Sequence, residues 1–209
     1  MKNIFITGID TDAGKTVAAS IAVEALKADY WKPIQSGDLD NTDTMKVQRM
    51  VSNSETKFYP EAYRLNTPAS PHAAAEIDGV IIDLDKIERP KTENNLIIEG
   101  AGGLLVPLNA KQNVADLIQP SDKVVLVTKH YLGSINHTLL SYEYLKNKGF
   151  NDIAIWINGE EKTSTEQALK NRVDAFFIER IQTLLEVNKE SIQNEAQRIS
   201  ESLQYFVQK

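Results

Sequence analysis

Cysteine is absent from this 209-residue chain, which excludes disulfides, thiol nucleophiles and thiolate metal sites. Histidine is nearly absent too. His72, His130 and His137 are scattered without any zinc-type spacing, and each reads as structural or incidental. No apolar run approaches the roughly 20 residues needed to span a bilayer. The first residues hold one lysine and a short apolar run, Ile4 to Ile6, far below a signal-peptide core. These absences predict a soluble cytoplasmic protein, in which the sequon Asn136-His137-Thr138 is chemically idle. Positive charge is in short supply, with 23 Lys and Arg against 29 Asp and Glu, a net charge of −6 and no basic run. Neither nucleic acid nor an anionic membrane is therefore expected as a partner, although a few aimed lysines suffice to bind phosphate locally.

What is present is ordinary for a globular chain: 42% hydrophobic and 25% charged residues and a mean hydropathy of −0.33. No repeat, linker or low-complexity segment divides it, so one domain over residues 1–209 is expected. Short apolar runs alternate with helical patterns. Asn3–Thr7, Asp29–Lys32, Asn95–Glu99, Lys123–Thr128 and Asp152–Asn158 read as buried strands. Thr16–Ala28 is apolar nearly all round and reads as a helix packed on two sides. Further helices are expected over Thr42–Val51, 72–78, 83–88 and Ser134–Lys148, and the tail from Glu166 onward reads as mostly helical. This alternation predicts an open, mostly parallel α/β sheet with helices on both faces.

In such a sheet, ligands sit beyond the carboxyl ends of the strands, and four stretches place polar residues there. The first, ITGIDTDAGKT (residues 6–16), resembles a phosphate loop but misses the usual Gly-x-x-x-x-Gly-Lys-Thr form. Counting back from Gly14, the first glycine belongs at position 9, which is Ile9; Gly8 comes one residue early. The context is nonetheless that of a phosphate site. A strand leads through a glycine turn to Lys15-Thr16 at a helix start, where backbone N–H groups face an anion. The second stretch, YWKPIQSG (30–37), ends a strand at Lys32 and offers the Ser36 hydroxyl. The third, DNTDTMKVQ (40–48), puts Asp43 in a first helical turn, where the helix dipole alone explains an acid. The fourth, NNLIIEGAGG (94–103), ends a buried strand in Glu99, followed by three glycines within four residues. An acid at that place can serve Mg²⁺, and small residues let backbone approach a ligand. Two lysines, a threonine and two acids converging on one crevice suit a magnesium nucleotide and phosphoryl transfer. Ser36 has no evident histidine and acid to complete a triad, which argues against hydrolase chemistry.

Seven stretches in order carry a closer likeness: TGIDTDAGKT (7–16), KPIQSG (32–37), NTDT (41–44), PASPHAA (68–74), EGAGGLLVPL (99–108), LGSINH (132–137) and INGE (157–160). Over residues 1 to about 160 the chain resembles dethiobiotin synthetases, the ATP-dependent ligases that close the ureido ring in biotin synthesis. In that family the early glycine is the normal form of the P-loop. The resemblance implies that 7,8-diaminononanoate captures CO₂ as a carbamate, which is phosphorylated by ATP and then closed by the second amine. It makes Lys15, Lys32 and Thr11 the catalytic residues. ATP would be bound by Asp12, Ala13, Gly14, Lys15, Thr16, Val17, Asp43, Glu99, Gly100, Ala101, Gly102, Asn158 and Gly159, with Asn158 reading the adenine edge. Thr16, Asp43 and Glu99 would hold Mg²⁺, and Thr11 and Ser36 would contact the diamine or carbamate. In the homodimer that the resemblance implies, Gly133, Ser134, Ile135 and Asn136 help bind the substrate carboxylate across the interface. Two departures stand out. Asp12 occupies a position where glutamate is frequent, and DAFFIERIQTLL (174–185) lacks the Gly-x-Ile-Pro-like turn that commonly frames the base.

Two other classes of protein share a loop of this kind but fit the sequence less well. Nucleotide-switch ATPases of the chromosome-partition or septum-positioning type usually carry a lysine where Asp10 stands here, together with a basic or amphipathic surface element. Amide-forming ligases acting on a corrin or similar acid typically carry a glutaminase domain, for which this chain is too short.

Overall fold

The computed structural model describes all of residues 1–209. Along the chain, β1 (Asn3–Gly8) leads into α1 (Lys15–Leu26) and β2 (Asp29–Trp31), followed by the short β3 (Ile34–Ser36) and α2 (Asp43–Met50). Next come β4 (Phe58–Tyr59), β5 (Tyr63–Leu65), α3 (Pro71–Asp78) and the long β6 (Leu96–Gly103). The second half holds β7 (Lys123–Lys129), α4 (Ser134–Asn147), β8 (Ile153–Asn158), α5 (Thr163–Lys170), β9 (Ile178–Ile181) and α6 (Lys189–Gln208). Seven strands form one sheet in the order β4-β2-β6-β1-β7-β8-β9, and every neighbouring pair is parallel. β3 and β5 form a separate two-stranded parallel ribbon. The expected open parallel α/β sheet is what the chain forms.

The apolar runs of the strands do not alternate with polar residues because both faces of the sheet are covered. Ile4 and Ile6 of β1 enter one core with Val125, Val127 and Trp156, roofed by α1, α2 and α6. Phe5 enters the other, with Val124, Leu126 and Ile155, beneath α3, α4 and α5. Burying a side chain such as Phe5 contributes roughly 1.5–3 kcal/mol. α1 is apolar nearly all round because the sheet lies on one side of it and α2 and α6 on others. No helix is long and apolar enough to cross a membrane.

The structure departs from the sequence expectation in three places. The tail after Glu166 is not continuously helical: α5 ends at Lys170, and β9 adds an edge strand before α6 begins. Phe176 and Phe177 flank that strand's start and stack on Phe206 of α6, and this packing overrides local helical preference. The helix expected at 83–88 is a single turn over Leu84–Lys86. The glycines after Glu99 do not end the strand, since β6 continues to Gly103 beside Gly8 of β1.

Candidate active site

The phosphate-type loop is shaped by its own residues. The Asp10 carboxylate accepts from the Thr11 amide at 2.7 Å, which starts one tight turn over Thr11–Ala13. Gly14 closes it at φ +97°, and a Cβ there would lie 2.1 Å from Asn158 Nδ2. Only glycine meets both demands. The early glycine also has a steric reason. A Cβ on Gly8 would stand 3.0 Å from the Asp10 carbonyl and 3.1 Å from the Ala13 Cβ, so the turn folds back closely over the strand end and a side chain there would crowd it. The opening amides of α1 have no intrahelical partner, and they face the crevice beyond the sheet. Lys15 Nζ meanwhile donates to the carbonyls of Asp10 and Thr11, at 2.9 and 3.0 Å.

The opposite wall comes from three separate elements. Lys32 leaves the end of β2, Asp43 opens α2, and Glu99 lies on β6. Lys32 Nζ bridges the two acids, 2.7 Å from Asp43 Oδ2 and 3.1 Å from Glu99 Oε1, and donates to the Gly100 carbonyl at 3.4 Å. Glu99 Oε1 also accepts from the Thr16 hydroxyl at 2.9 Å, tying this wall to the phosphate loop. Gln35 Oε1 accepts from the Asp43 amide at 3.1 Å and so positions the start of α2. Thr42 caps that helix through the Met45 amide.

Charge is concentrated accordingly. Burial, and then the neighbouring Lys32 ammonium, lower Lys15 to about 8. Burial also acts to lower Lys32, but Glu99 and Asp43 outweigh it and raise that lysine above its ordinary value. Burial pushes Asp43 up, while Lys32 and then Lys46 outweigh it and hold the carboxyl below its ordinary value. Lys15 thus feels the charges of Lys32, Glu99 and Asp43, and all four line the same crevice.

Thr11, Asp12, Gly14, Lys15, Thr16, Val17, Lys32, Ser36, Asp43, Glu99, Ala101 and Gly102 all line one crevice of about 690 Å³. Of the remaining residues expected at an ATP site, Ala13 is buried and accepts from Asn158 Nδ2 at 3.2 Å through its carbonyl. Gly100 contributes its carbonyl to Lys32. Gly159, at φ +105°, is tied to β9 through the Ile181 carbonyl. The Ser36 hydroxyl is buried without a hydrogen-bond partner. Gly133, Ser134, Ile135 and Asn136 lie elsewhere, at the start of α4, and do not line the crevice of their own chain. His130 lies outside the crevice lining: its Nε2 sits 3.3 Å from Glu166 Oε1, while Arg180 of β9 donates to Glu166 Oε2. The segment 174–185, which lacks glycine and proline, supplies β9, whose Ile181 pairs with Asn158.

Sequence reasoning missed two contributors. Lys46 lines the crevice one helical turn beyond Asp43, a spacing that could have signalled it. The other is Tyr30, whose hydroxyl donates to Glu99 Oε2 at 2.8 Å; as an aromatic residue in an apolar strand it gave no signal.

Comparisons with known proteins agree with this geometry. A family profile described as an AAA domain matches residues 2–196. Among solved structures, the MinC:MinD cell division complex of Aquifex aeolicus superposes with a TM-score of 0.56 at 12% identity, covering 100% of this chain and 96% of that one. A ParA family ATPase of Chlorobium tepidum gives 0.56 at 12% identity, covering 94% and 98%. At such identities the likeness is one of fold alone. Sequence relatives are more specific. The ATP-dependent dethiobiotin synthetase of Christiangramia forsetii is 60% identical over 169 residues, 81% of this chain and 82% of the relative. That of Cytophaga hutchinsonii is 48% identical over 171 residues, again 81% and 82%. Identity at that level, over four-fifths of both partners, places this chain in the ATP-dependent dethiobiotin synthetase family.

Proposed function

We propose that residues 1–209 form one ligase domain that makes dethiobiotin from 7,8-diaminononanoate, CO₂ and ATP. The observation that carries this reading is the buried Lys32, bridging Asp43 and Glu99 in the crevice that Lys15 enters from the phosphate loop. A reaction that brings carbamate, triphosphate and departing phosphate together needs cations on both sides of the transferring group. The fixed lysines would supply most of the rate through charge stabilisation and alignment.

One amine of the diamine adds to CO₂ and loses a proton to give a carbamate. The carbamate oxygen attacks the γ-phosphorus as the bond to ADP breaks. The second amine then attacks the carbonyl carbon of the mixed anhydride and loses a proton, and the ring closes as phosphate leaves. Lys15 would hold the β- and γ-phosphates, and Lys32 the carbamate and the phosphoryl group in transit. Thr11 and the unpartnered Ser36 hydroxyl would fix the diamine or carbamate, and Asn158 would read the adenine edge.

The donor set fits Mg²⁺. Thr16, Asp43 and Glu99 supply only oxygens, and no cluster of three or more His, Cys, Asp or Glu forms a self-sufficient cage. Magnesium in nucleotide sites is held by one or two carboxylates together with the phosphates; when bound, it neutralises phosphate oxygens. The exposed Leu105, Leu132 and Leu140 support a homodimer in which Gly133–Asn136 of one copy meets the substrate carboxylate in the other. We place the enzyme in the cytoplasm.

Incubation with 7,8-diaminononanoate, bicarbonate, Mg²⁺ and ATP should yield a bicyclic urea and phosphate in step with ADP. ATP hydrolysis indifferent to the diamine would overturn the proposal.

A further inference from the structure

Glu99 is almost fully buried, and its two oxygens have different partners. Oε1 accepts from Thr16 at 2.9 Å and from Lys32 at 3.1 Å. Oε2 accepts from the Tyr30 hydroxyl at 2.8 Å. The terminal torsion of a glutamate is soft and nearly two-fold, so nothing intrinsic to Glu99 selects which oxygen faces the crevice. We propose that Tyr30 is a positioning residue whose phenol occupies Oε2 of Glu99, so that Oε1 alone is presented to Thr16, Lys32 and the ligand.

The register of the sheet makes this possible. Tyr30 lies opposite Ile97 across the β2–β6 pair, and both belong to the same core. Glu99, two residues on from Ile97, points to that same face at roughly 6.6 Å along the strand. A tyrosine side chain spans about that distance, so the phenol reaches the carboxylate one pleat ahead. The ring is held in place, fully buried with Phe58 at 5.9 Å.

This inference rests on the reading of Glu99 as a ligand of the magnesium nucleotide. Its test is Tyr30→Phe in the full chain, with ADP binding followed by calorimetry over a range of Mg²⁺ concentrations. A partner that orients a metal ligand typically changes metal affinity by 10–100-fold when removed, so the Mg²⁺ needed for half-maximal ADP binding should rise by about 10-fold. ADP affinity without Mg²⁺ should stay unchanged. Ile192→Val, which loosens the core under α6, serves as the stability control and should leave the Mg²⁺ dependence at the wild-type value. Should Tyr30→Phe fold poorly, Tyr30→p-methylphenylalanine fills the same space without donating. Tyr30→p-aminophenylalanine restores a donor and should recover the Mg²⁺ dependence.

A wild-type Mg²⁺ dependence in the non-donating variants would overturn the role of Tyr30 while leaving the proposed function intact. So would an equal loss of ADP affinity with and without Mg²⁺. If the wild-type protein itself binds ADP regardless of Mg²⁺, the ligand role of Glu99 fails, and this inference fails with it.

Discussion

Lys32 and Lys123 are both withdrawn from solvent, with side chains 5% and 1% exposed, at opposite ends of the parallel sheet. Lys123 begins β7 and pairs with Asp152 at 2.8 Å. Its ammonium lies over the ring of Phe206 at 4.9 Å and near that of Phe176 at 5.8 Å. Lys32 follows the end of β2, holds two carboxylates and borders an open crevice with a second lysine inside it. Burial alone therefore does not identify a chemical lysine. What separates the two is the surroundings: aromatic packing uses up the reach of Lys123, whereas Lys32 shares its crevice with Lys15, Thr16 and the unpartnered Ser36.

Four measurements would sharpen or break this contrast. Lys32→Ala should lower kcat/KM by about 10²–10³-fold, the usual loss when one charge-stabilising group is removed, while the protein stays folded by circular dichroism. Full activity in this variant would remove Lys32 from the chemistry. Lys123→Ala should behave in reverse, losing about 2–3 kcal/mol of unfolding free energy in urea through lost stem packing and cation–π contact. Its kcat at about 20 °C, well below the usual unfolding range of such domains, should match the wild type. A fall in kcat without loss of stability would make the two ends of the sheet alike.

Gly14→Ala tests the loop between these extremes. The left-handed conformation costs an alanine roughly 1–2 kcal/mol, and the clash with Asn158 adds to it, so ADP should bind at least about 10-fold more weakly by calorimetry. Unaltered affinity would show that the loop tolerates remodelling. The smallest effect belongs to the ion pair at the far edge. Burial pushes Glu166 up, but the hydrogen bond from Arg180 leads the interactions that outweigh it and hold the carboxyl below its ordinary 4.5. Its folded value is depressed, so its stabilisation is complete above pH 4.5 and is lost as pH falls through the lower, folded value. Glu166→Gln should cost about 1 kcal/mol at pH 7, a difference that shrinks in acid titrations below pH 4.5. A difference that persists unchanged in acid would assign the effect to packing.

Much of the site was legible because its residues sit at punctuation marks in the sequence. Lys32 precedes Pro33, Asp43 follows the capping Thr42, and Glu99 ends an apolar run. Each mark fixes where an element stops, and in a parallel sheet the ends of strands share one edge. Contacts across long sequence separations left no such trace. Tyr30 meets Glu99 across 69 residues, through a strand register that no local pattern encodes. Three glycines after Glu99 signal a turn, where β6 runs on to Gly103. They are accommodated within the strand because Gly8 of β1 lies opposite Gly103, across an irregularity in the pairing between Ile6 and Gly8. β9 was hidden for a different reason: its place in the sheet depends on Phe176 and Phe177 finding Phe206 on α6.

The bond from Asn158 to the Ala13 carbonyl makes the end of β8 a fixed jaw against the phosphate loop. On the proposed reading, the two ends of a nucleotide are thereby set at a constant span before any ligand arrives, as on a caliper. A ligand of that span would bind without first ordering the protein, and its affinity would reside mainly in slow departure. Pyrophosphate, which fills only one jaw, would arrive as readily and leave sooner. Length, in this enzyme, would be measured by the scaffold before chemistry begins.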